Sequence, residues 1–298
     1  PQSPSKSGNL EKKSSIEVKY INFPEWARKE LQLAVDMWSA NFESKVTITI
    51  DATWSNSQSV AILGSAQPGG YFAGFSGAPD SSLWYPSALA NALAGKDLDP
   101  RNPEMVIKVN AQAAWNRRGD RAPTTREYDL QSVFLHEIAH GLGFLSNDTY
   151  DPILGFGSIE QPTPYDAFTQ TEDGRRLADL PSPSLELGKA LRSPLFWAGA
   201  KGIAANEGVK PLLYSPENYV DGSSVSHLDE KTFSISRLDA VMTPELDAGE
   251  IFYEPGPLLL AMMEDMRGKP PVGIAAELPT AVRNAQSVIA DGAAIVKW

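Results

Sequence analysis

Apolar residues recur along this chain with two periods, and each period predicts a different element. Alternation at residues 16 to 20, 46 to 50 and 105 to 109 predicts strands, with a short apolar run at residues 60 to 63 as a further candidate. A helical spacing follows Phe23-Pro24 and comprises Ala27, Leu31, Ala34, Val35 and Trp38. A strand, a helix and then several strands describe an α/β (α+β) layer.

Two further helices stand out. Residues 129 to 142, DLQSVFLHEIAHGL, have the length and apolar spacing of a buried helix, and Gly141 and Gly143 are expected to end it. Residues 257 to 266, PLLLAMMEDM, predict a closing helix that begins at Pro257 and ends before Gly268.

Changes in composition divide the chain into four parts. Residues 1 to 15 are polar and predict a disordered tail, and residues 16 to 145 form an N-terminal subdomain with the sheet and the helix of residues 129 to 142. Residues 146 to 268 are rich in Pro, Gly, Ser and Asp and predict a loop-rich C-terminal subdomain. Residues 269 to 298 are a linker followed by two strands with a turn at Asp291-Gly292, which resembles the start of a fibronectin type III domain.

Composition excludes several classes of function. The 298 residues carry a formal net charge of -11, which argues against nucleic acid as a partner because phosphate affinity requires clustered Lys and Arg. The chain has no Cys, so a Cys-based zinc site or a Cys nucleophile is excluded. It also has no apolar stretch of membrane-spanning length.

His136-Glu137-Ile138-Ala139-His140 is an HExxH motif on the helix predicted at residues 129 to 142. Residues four apart lie on one helix face, so both imidazoles can bind one zinc ion while Glu137 lies beside them. Zinc acidifies a bound water, and a neighbouring carboxylate can then act as general base in the attack on a carbonyl. The motif therefore predicts amide hydrolysis.

A catalytic zinc ion needs a third protein ligand and an open position. His227 is the remaining histidine of the three in the chain. Glu160, 20 residues after His140, and Asp148 or Asp151 are alternative third ligands.

Residues 136 to 143 match HExxHxxG, and the chain thereby resembles the metzincin peptidases. The position of their usual third His is Ser146, as in leishmanolysin-type metzincins, which carry a long insertion before that His. Val241-Met-Thr-Pro, 15 residues after His227, resembles the Met-turn, and several segments after residue 164 resemble bacterial secreted metzincin-like proteins. The resemblance covers roughly residues 16 to 267.

The metzincin resemblance implies two subdomains separated by a cleft, with a twisted mixed sheet, a backing helix and a zinc-binding helix. It implies one catalytic zinc ion held by His136, His140 and His227, a general base at Glu137, Met242 beneath the metal and Gly143 in the turn that ends the helix. An edge strand would pair with an extended peptide substrate, and residues 60 to 66 and 105 to 110 are both candidates.

The same resemblance implies a secreted endopeptidase, a monomer that acts on proteins or peptides, with its signal peptide removed before Pro1. Two other functions remain open: a non-catalytic surface-binding or adhesion module on this scaffold, and a serine hydrolase that uses Ser223, Ser224 or Ser226 beside His227. No GxSxG elbow supports the latter. Calcium is conceivable as a second cation, although no EF-hand-like loop supports it.

Overall fold

The computed structural model describes residues 11–56, 62–117, 121–233 and 238–273, and the backbone of two strands at residues 286–290 and 293–297. The fold is a mixed α/β fold, as predicted. Its helices are α1 Glu25–Asn41, α2 Ser87–Ala94, α3 Leu130–Leu142, α4 Pro164–Phe168, α5 Leu185–Ala190, α6 Ala200–Ala205 and α7 Pro257–Asp265. Its strands are β1 Ile16–Ile21, β2 Ile48–Ser55, β3 Gly64–Pro68, β4 Tyr71–Phe72, β5 Tyr85–Pro86, β6 Met105–Asn110, β7 Asp148–Tyr150, β8 Gly157–Ile159, β9 Thr169–Thr171, β10 Leu195–Trp197, β11 Leu212–Leu213, β12 Gln286–Ala290 and β13 Ala293–Lys297.

The main sheet has four strands in the order β1-β2-β6-β3. β1 and β6 both run parallel to β2, and β3 runs antiparallel to β6. Alternate residues of β2, Ile48, Ile50 and Ala52, are completely buried on the helix-covered face of the sheet. The strands predicted at residues 16 to 20, 46 to 50 and 105 to 109 are confirmed.

Only one of the two candidate substrate strands lies at an edge of this sheet. β3 is the edge strand and includes part of residues 60 to 66, whereas β6 lies between β2 and β3. The interpretation of residues 105 to 110 as an edge is therefore wrong. Its apolar alternation reflects burial inside the sheet, which periodicity does not distinguish from an edge position.

Helix α1 connects β1 to β2 and packs against α3. All five of its predicted apolar positions are buried. Trp38 reaches across the helix pair, and its indole N–H donates to the carbonyl oxygen of Leu135 at 3.0 Å. This contact fixes α1 against the middle of α3, one residue before the HExxH motif.

Helix α3 begins and ends close to the predicted positions. The side chain of Asp129 caps it by accepting from the amide of Ser132 at 2.8 Å. Gly141 lies inside α3, so the prediction that it ends the helix is wrong. A glycine is needed at this position because α3 crosses closely over the sheet there. A Cβ atom added at Gly141 would lie 2.5 Å from Sδ of Met105 in β6.

Residues 146 to 268 contain more regular structure than their composition indicates. β7 pairs with β8, β10 pairs with β9 and β11, and α7 packs against α6. The core of this region includes stacked rings of Phe168 and Trp197. The closing helix predicted from Pro257 is confirmed as α7.

Two predictions at the chain ends have mixed outcomes. Residues 1 to 10 lie outside the described residues, but residues 11 to 15 do not belong to a disordered tail: the amides of Lys13 and Ser14 both donate to the carbonyl of Ser39. These two hydrogen bonds join the segment to the Ser39 carbonyl of α1, a tertiary contact that polar composition does not reveal. The two C-terminal strands are present as the antiparallel pair β12 and β13, whereas Asp291-Gly292 lies outside the described residues. No helix in the described ranges is long and apolar enough to cross a membrane.

Candidate metal centre

His136 and His140 lie one helical turn apart on α3, and a loop brings His227 to the same point. The Nε2 atoms of His136 and His140 are 3.0 Å apart, and Nε2 of His227 lies 3.2 Å from each. A tetrahedral zinc ion with Zn–N bonds of about 2.0–2.1 Å separates its nitrogen ligands by roughly 3.3 Å. The three nitrogens therefore have nearly the spacing of three corners of a zinc site.

Each imidazole is oriented by a backbone carbonyl oxygen, which contacts its second ring nitrogen, Nδ1. Nδ1 of His136 contacts the carbonyl oxygen of Val241 at 2.7 Å, that of His140 contacts Phe144 at 2.7 Å, and that of His227 contacts Ser223 at 2.8 Å. A carbonyl only accepts hydrogen bonds, so the proton of each neutral ring lies on Nδ1. Three Nε2 lone pairs then face one another, an arrangement that a bound cation stabilises.

Burial keeps these rings uncharged. It lowers the pKa of His136, and it lowers the pKa of His140 still further with the help of the two neighbouring imidazoles. For His227, burial and the proximity of His136 lower the pKa to about 3. Neutral imidazole is the metal-binding form, so all three rings are ready to coordinate at neutral pH.

The loop of His227 is attached to two other parts of the chain. The amide of Tyr214 donates to the carbonyl of His227 at 2.8 Å, and the amide of Leu228 donates to the carbonyl of Met242 at 2.8 Å. Met242 ends a 3-10 helix, Leu238–Met242, and its side chain is completely buried. This short helix therefore contacts His136 directly through Val241 and the residue after His227 through Met242.

Gly143 ends α3 with φ of 124°, in the range that favours glycine. The reversal of the chain at Gly143 brings the carbonyl of Phe144 to the Nδ1 atom of His140. Gly143 thus serves the metal centre through the residue that follows it.

Glu137 follows His136 in α3 and has one buried carboxylate oxygen without a partner among the described residues. The residue is 5% exposed, and within the described ranges its buried Oε2 atom has no hydrogen-bond partner. Burial raises the pKa of Glu137 to about 8. A positive charge at the three imidazoles would oppose this shift and favour the ionised form.

Strand β3 passes directly beside this carboxylate. A Cβ atom added at Gly64 would lie 2.9 Å from Oε1 of Glu137 and 3.1 Å from Cγ1 of Val133. A side chain at this position would therefore displace the carboxylate of Glu137 from the strand. The sequence analysis did not identify Gly64, because a glycine that begins a short strand has no distinguishing pattern.

The alternative third ligands have other partners. Asp148 accepts a hydrogen bond from the hydroxyl of Tyr219 at 2.9 Å, and Asp151 accepts from the amides of its own turn. Glu160 is exposed. Within the described ranges, the three histidines are the one group of three or more His, Cys, Asp or Glu residues close enough together to hold a metal ion.

The serines near His227 serve the loop itself. The hydroxyl of Ser224 accepts from the amide of Val220, and that of Ser226 accepts from the amide of Ser146. Ser223 contributes its carbonyl to His227 rather than its hydroxyl. The geometry therefore favours a metal site over a serine nucleophile with a histidine base.

Compared with models of protein families, with curated proteins and with solved structures, this chain matches none of them. The candidate metal centre accordingly depends on the geometry of the chain itself. That geometry shows a three-histidine site that could hold a metal ion.

Proposed function

We propose that this chain is a secreted, zinc-dependent endopeptidase of the metzincin kind. The observation that carries the proposal is the convergence of three Nε2 atoms, together with Glu137, the residue after His136, whose buried Oε2 atom has no hydrogen-bond partner among the described residues. A buried carboxylate without a partner is costly in a purely structural role. In the same helix turn as two histidines of a three-histidine site, such a carboxylate supports a role as general base.

The three imidazoles, which are neutral and oriented through Nδ1, would hold the zinc ion. A zinc ion in such a site supplies Lewis-acid chemistry, which acidifies water and polarises a carbonyl group. Glu137 accepts the proton of the attacking water at its free carboxylate oxygen and delivers it to the leaving amine. The protein thus uses one side chain first as base and then as acid.

The edge strand β3 supports an extended polypeptide as the substrate. β3 pairs with β6 on one side and has no strand partner on the other among the described residues. A peptide added to that edge would form main-chain hydrogen bonds with β3, and its binding would depend little on its side chains. Gly64 lies next to Glu137, so a peptide on this edge would pass close to the general base.

The metzincin resemblance supports the same function. Gly143 follows the HExxH motif where HExxHxxG requires it, and the Val241-Met242 turn contacts the first ligand and the residue after the third. The motif and its surroundings thus have a common structural explanation.

Hydrolysis of casein with parallel zinc analysis tests the proposal. We expect Glu137→Gln to lower the rate by roughly 10²- to 10⁴-fold while zinc content is unchanged, because the base is lost and the ligands remain. His227→Ala should lose both zinc and activity. Glu160→Gln is the matched control, since it changes an exposed glutamate of the same chain, and should keep both.

Two results would contradict the proposal in different ways. Full activity of Glu137→Gln would assign the base to another residue. A folded, zinc-loaded wild type that cleaves no protein would instead favour the adhesion-module alternative.

A further inference from the structure

Val225 has a strained backbone two residues before the third histidine. Its φ is 70°, a value that is a genuine outlier for a β-branched residue. The amide of Ser226 donates to the carbonyl of Ser224 at 2.9 Å, which closes a tight three-residue turn around Val225. With positive φ at its centre, this is the rarer and strained form of the γ-turn.

Two hydrogen bonds hold Val225 in this conformation from opposite sides. Its amide donates to the carbonyl of Tyr214 at 2.7 Å, and its carbonyl accepts from the hydroxyl of Tyr165 at 2.9 Å. Val225 and Tyr165 are both completely buried, so water cannot replace either bond. Strained conformations of this kind persist only where surrounding contacts over-determine them.

The ring of Tyr165 is itself fixed, and it lies close to the second ligand. Its centroid is 5.0 Å from that of Phe144, whose carbonyl orients His140. On another side, the ring lies 5.2 Å from Trp197. One side chain therefore contacts the residue that orients His140 and the turn that precedes His227.

We propose that Tyr165 is a positioning residue for the metal centre. Its hydroxyl holds Val225 in the strained turn from which His227 reaches His136 and His140 on α3. The inference deepens the proposed function because it concerns the same metal site. Without the hydroxyl, Val225 would relax to negative φ. The peptide that leads to His227 would then rotate, and the imidazole would leave the common point.

Metal affinity in a double-mutant cycle tests this inference. We expect Tyr165→Phe to weaken Zn²⁺ and Co²⁺ binding by roughly 10- to 100-fold, the usual cost of removing an outer contact to a ligand. It should also change the visible spectrum of bound Co²⁺, which reports ligand geometry. In the Val225→Gly background, the same change should alter affinity by no more than about twofold, because glycine adopts positive φ without strain.

Tyr85→Phe is the matched control, since Tyr85 is also completely buried and its hydroxyl accepts from the amide of Asp80 at 2.9 Å. It should bind Co²⁺ with wild-type affinity and spectrum. If Tyr165→Phe folds only together with Val225→Gly, and that pair binds metal, the inference is also supported.

Three results would overturn the inference. The first is wild-type affinity and spectrum in Tyr165→Phe, and the second is an equal loss in both Val225 backgrounds. The third is failure of both Tyr165→Phe variants to fold, which would make Tyr165 a packing residue. A wild type that binds no metal would overturn the proposed function as well, whereas a metal-binding but inactive wild type would overturn the proposed function alone.

Discussion

His136, His140 and His227 each use one ring nitrogen for a backbone carbonyl and direct the other to a common point. Because the Nδ1 contacts fix both the tautomer and the ring orientation, little conformational freedom remains for a metal ion to remove. Glu137 differs from its neighbours in lacking such a partner at Oε2. At the residue scale, the centre thus combines three constrained ligands with one unsatisfied carboxylate.

Asp148 offers a test of buried charge away from the ligands. Burial raises its pKa to about 7, and the nearby Asp166 raises it as well, while hydrogen bonds from Ser146 and Tyr219 lower it. The folded pKa thus lies above the unfolded value, so the folded chain keeps a proton that the unfolded chain loses. The stability from this proton is complete below about pH 4 and is lost as pH rises towards about 7.

Between about pH 4 and 7, the titration of Asp148 should lower the free energy of unfolding of the wild type by up to about 1.4 kcal/mol per pH unit. We expect Asp148→Asn to lack this decline. Urea unfolding of wild type and variant across this range measures the difference. Glu127→Gln provides a contrast, because hydrogen bonds with Arg121 and Thr124 lower the pKa of Glu127 to about 2. Its effect should have the opposite sign and lie below about pH 4.5. Parallel pH curves for wild type and Asp148→Asn would contradict the assignment.

Two elements, α3 and β3, determine what surrounds the candidate site. α3 supplies His136, Glu137 and His140, and Gly141 lets it approach β6 closely. β3 is the edge strand and approaches Glu137 through Gly64. The site therefore depends on how one helix crosses one edge of the sheet.

Gly64→Ala should displace the carboxylate of Glu137 without touching a ligand. We expect casein hydrolysis to fall by roughly 10- to 100-fold, because a misplacement of about 1 Å is costly at a reacting centre. Zinc content should remain at the wild-type level. Gly268→Ala is the control, since a Cβ atom added at that glycine would approach the carbonyl oxygen of Asp265 only to an ordinary contact distance of 3.4 Å. Unchanged hydrolysis in Gly64→Ala would show that Glu137 tolerates a shift or is not the base.

On the scale of the whole molecule, the candidate centre joins distant parts of the chain. His140 and His227 are separated by 87 positions, and the Val241-Met242 turn follows still later. A metal ion at this point would connect α3 to the C-terminal region. Because the unfolded chain does not preserve this arrangement, metal binding should stabilise the folded state.

Zinc should accordingly raise the thermal midpoint of unfolding, and a chelator should lower it. Free zinc at 100 times the dissociation constant is expected to add about 2.7 kcal/mol to the free energy of unfolding. Differential scanning calorimetry with and without chelator measures this effect. His227→Ala should respond much less than wild type. An equal response of the two proteins would place the bound zinc elsewhere.

Much of the fold could be predicted from periodicity. α1, α3, α7 and three strands of the main sheet have patterns long enough to be distinguished from loops. The small sheets formed by β7 to β11 were not predicted, since strands of two or three residues are too short to show alternation. The HExxH spacing also predicted that His136 and His140 lie together on a helix, because positions i and i+4 share a helix face.

The sequence by itself determined the mixed fold class, the position of the zinc-type motif on a helix and the two histidines within that motif. Those features depend on local spacing or on composition, which the chain carries without folding. Only the tertiary structure decided that His227 rather than Glu160, Asp148 or Asp151 joins the pair, that β3 is the edge, and that Gly64 and Tyr165 lie next to the site. These depend on contacts between residues far apart in the chain and on backbone carbonyls, which are the same at every position and leave no mark in the sequence.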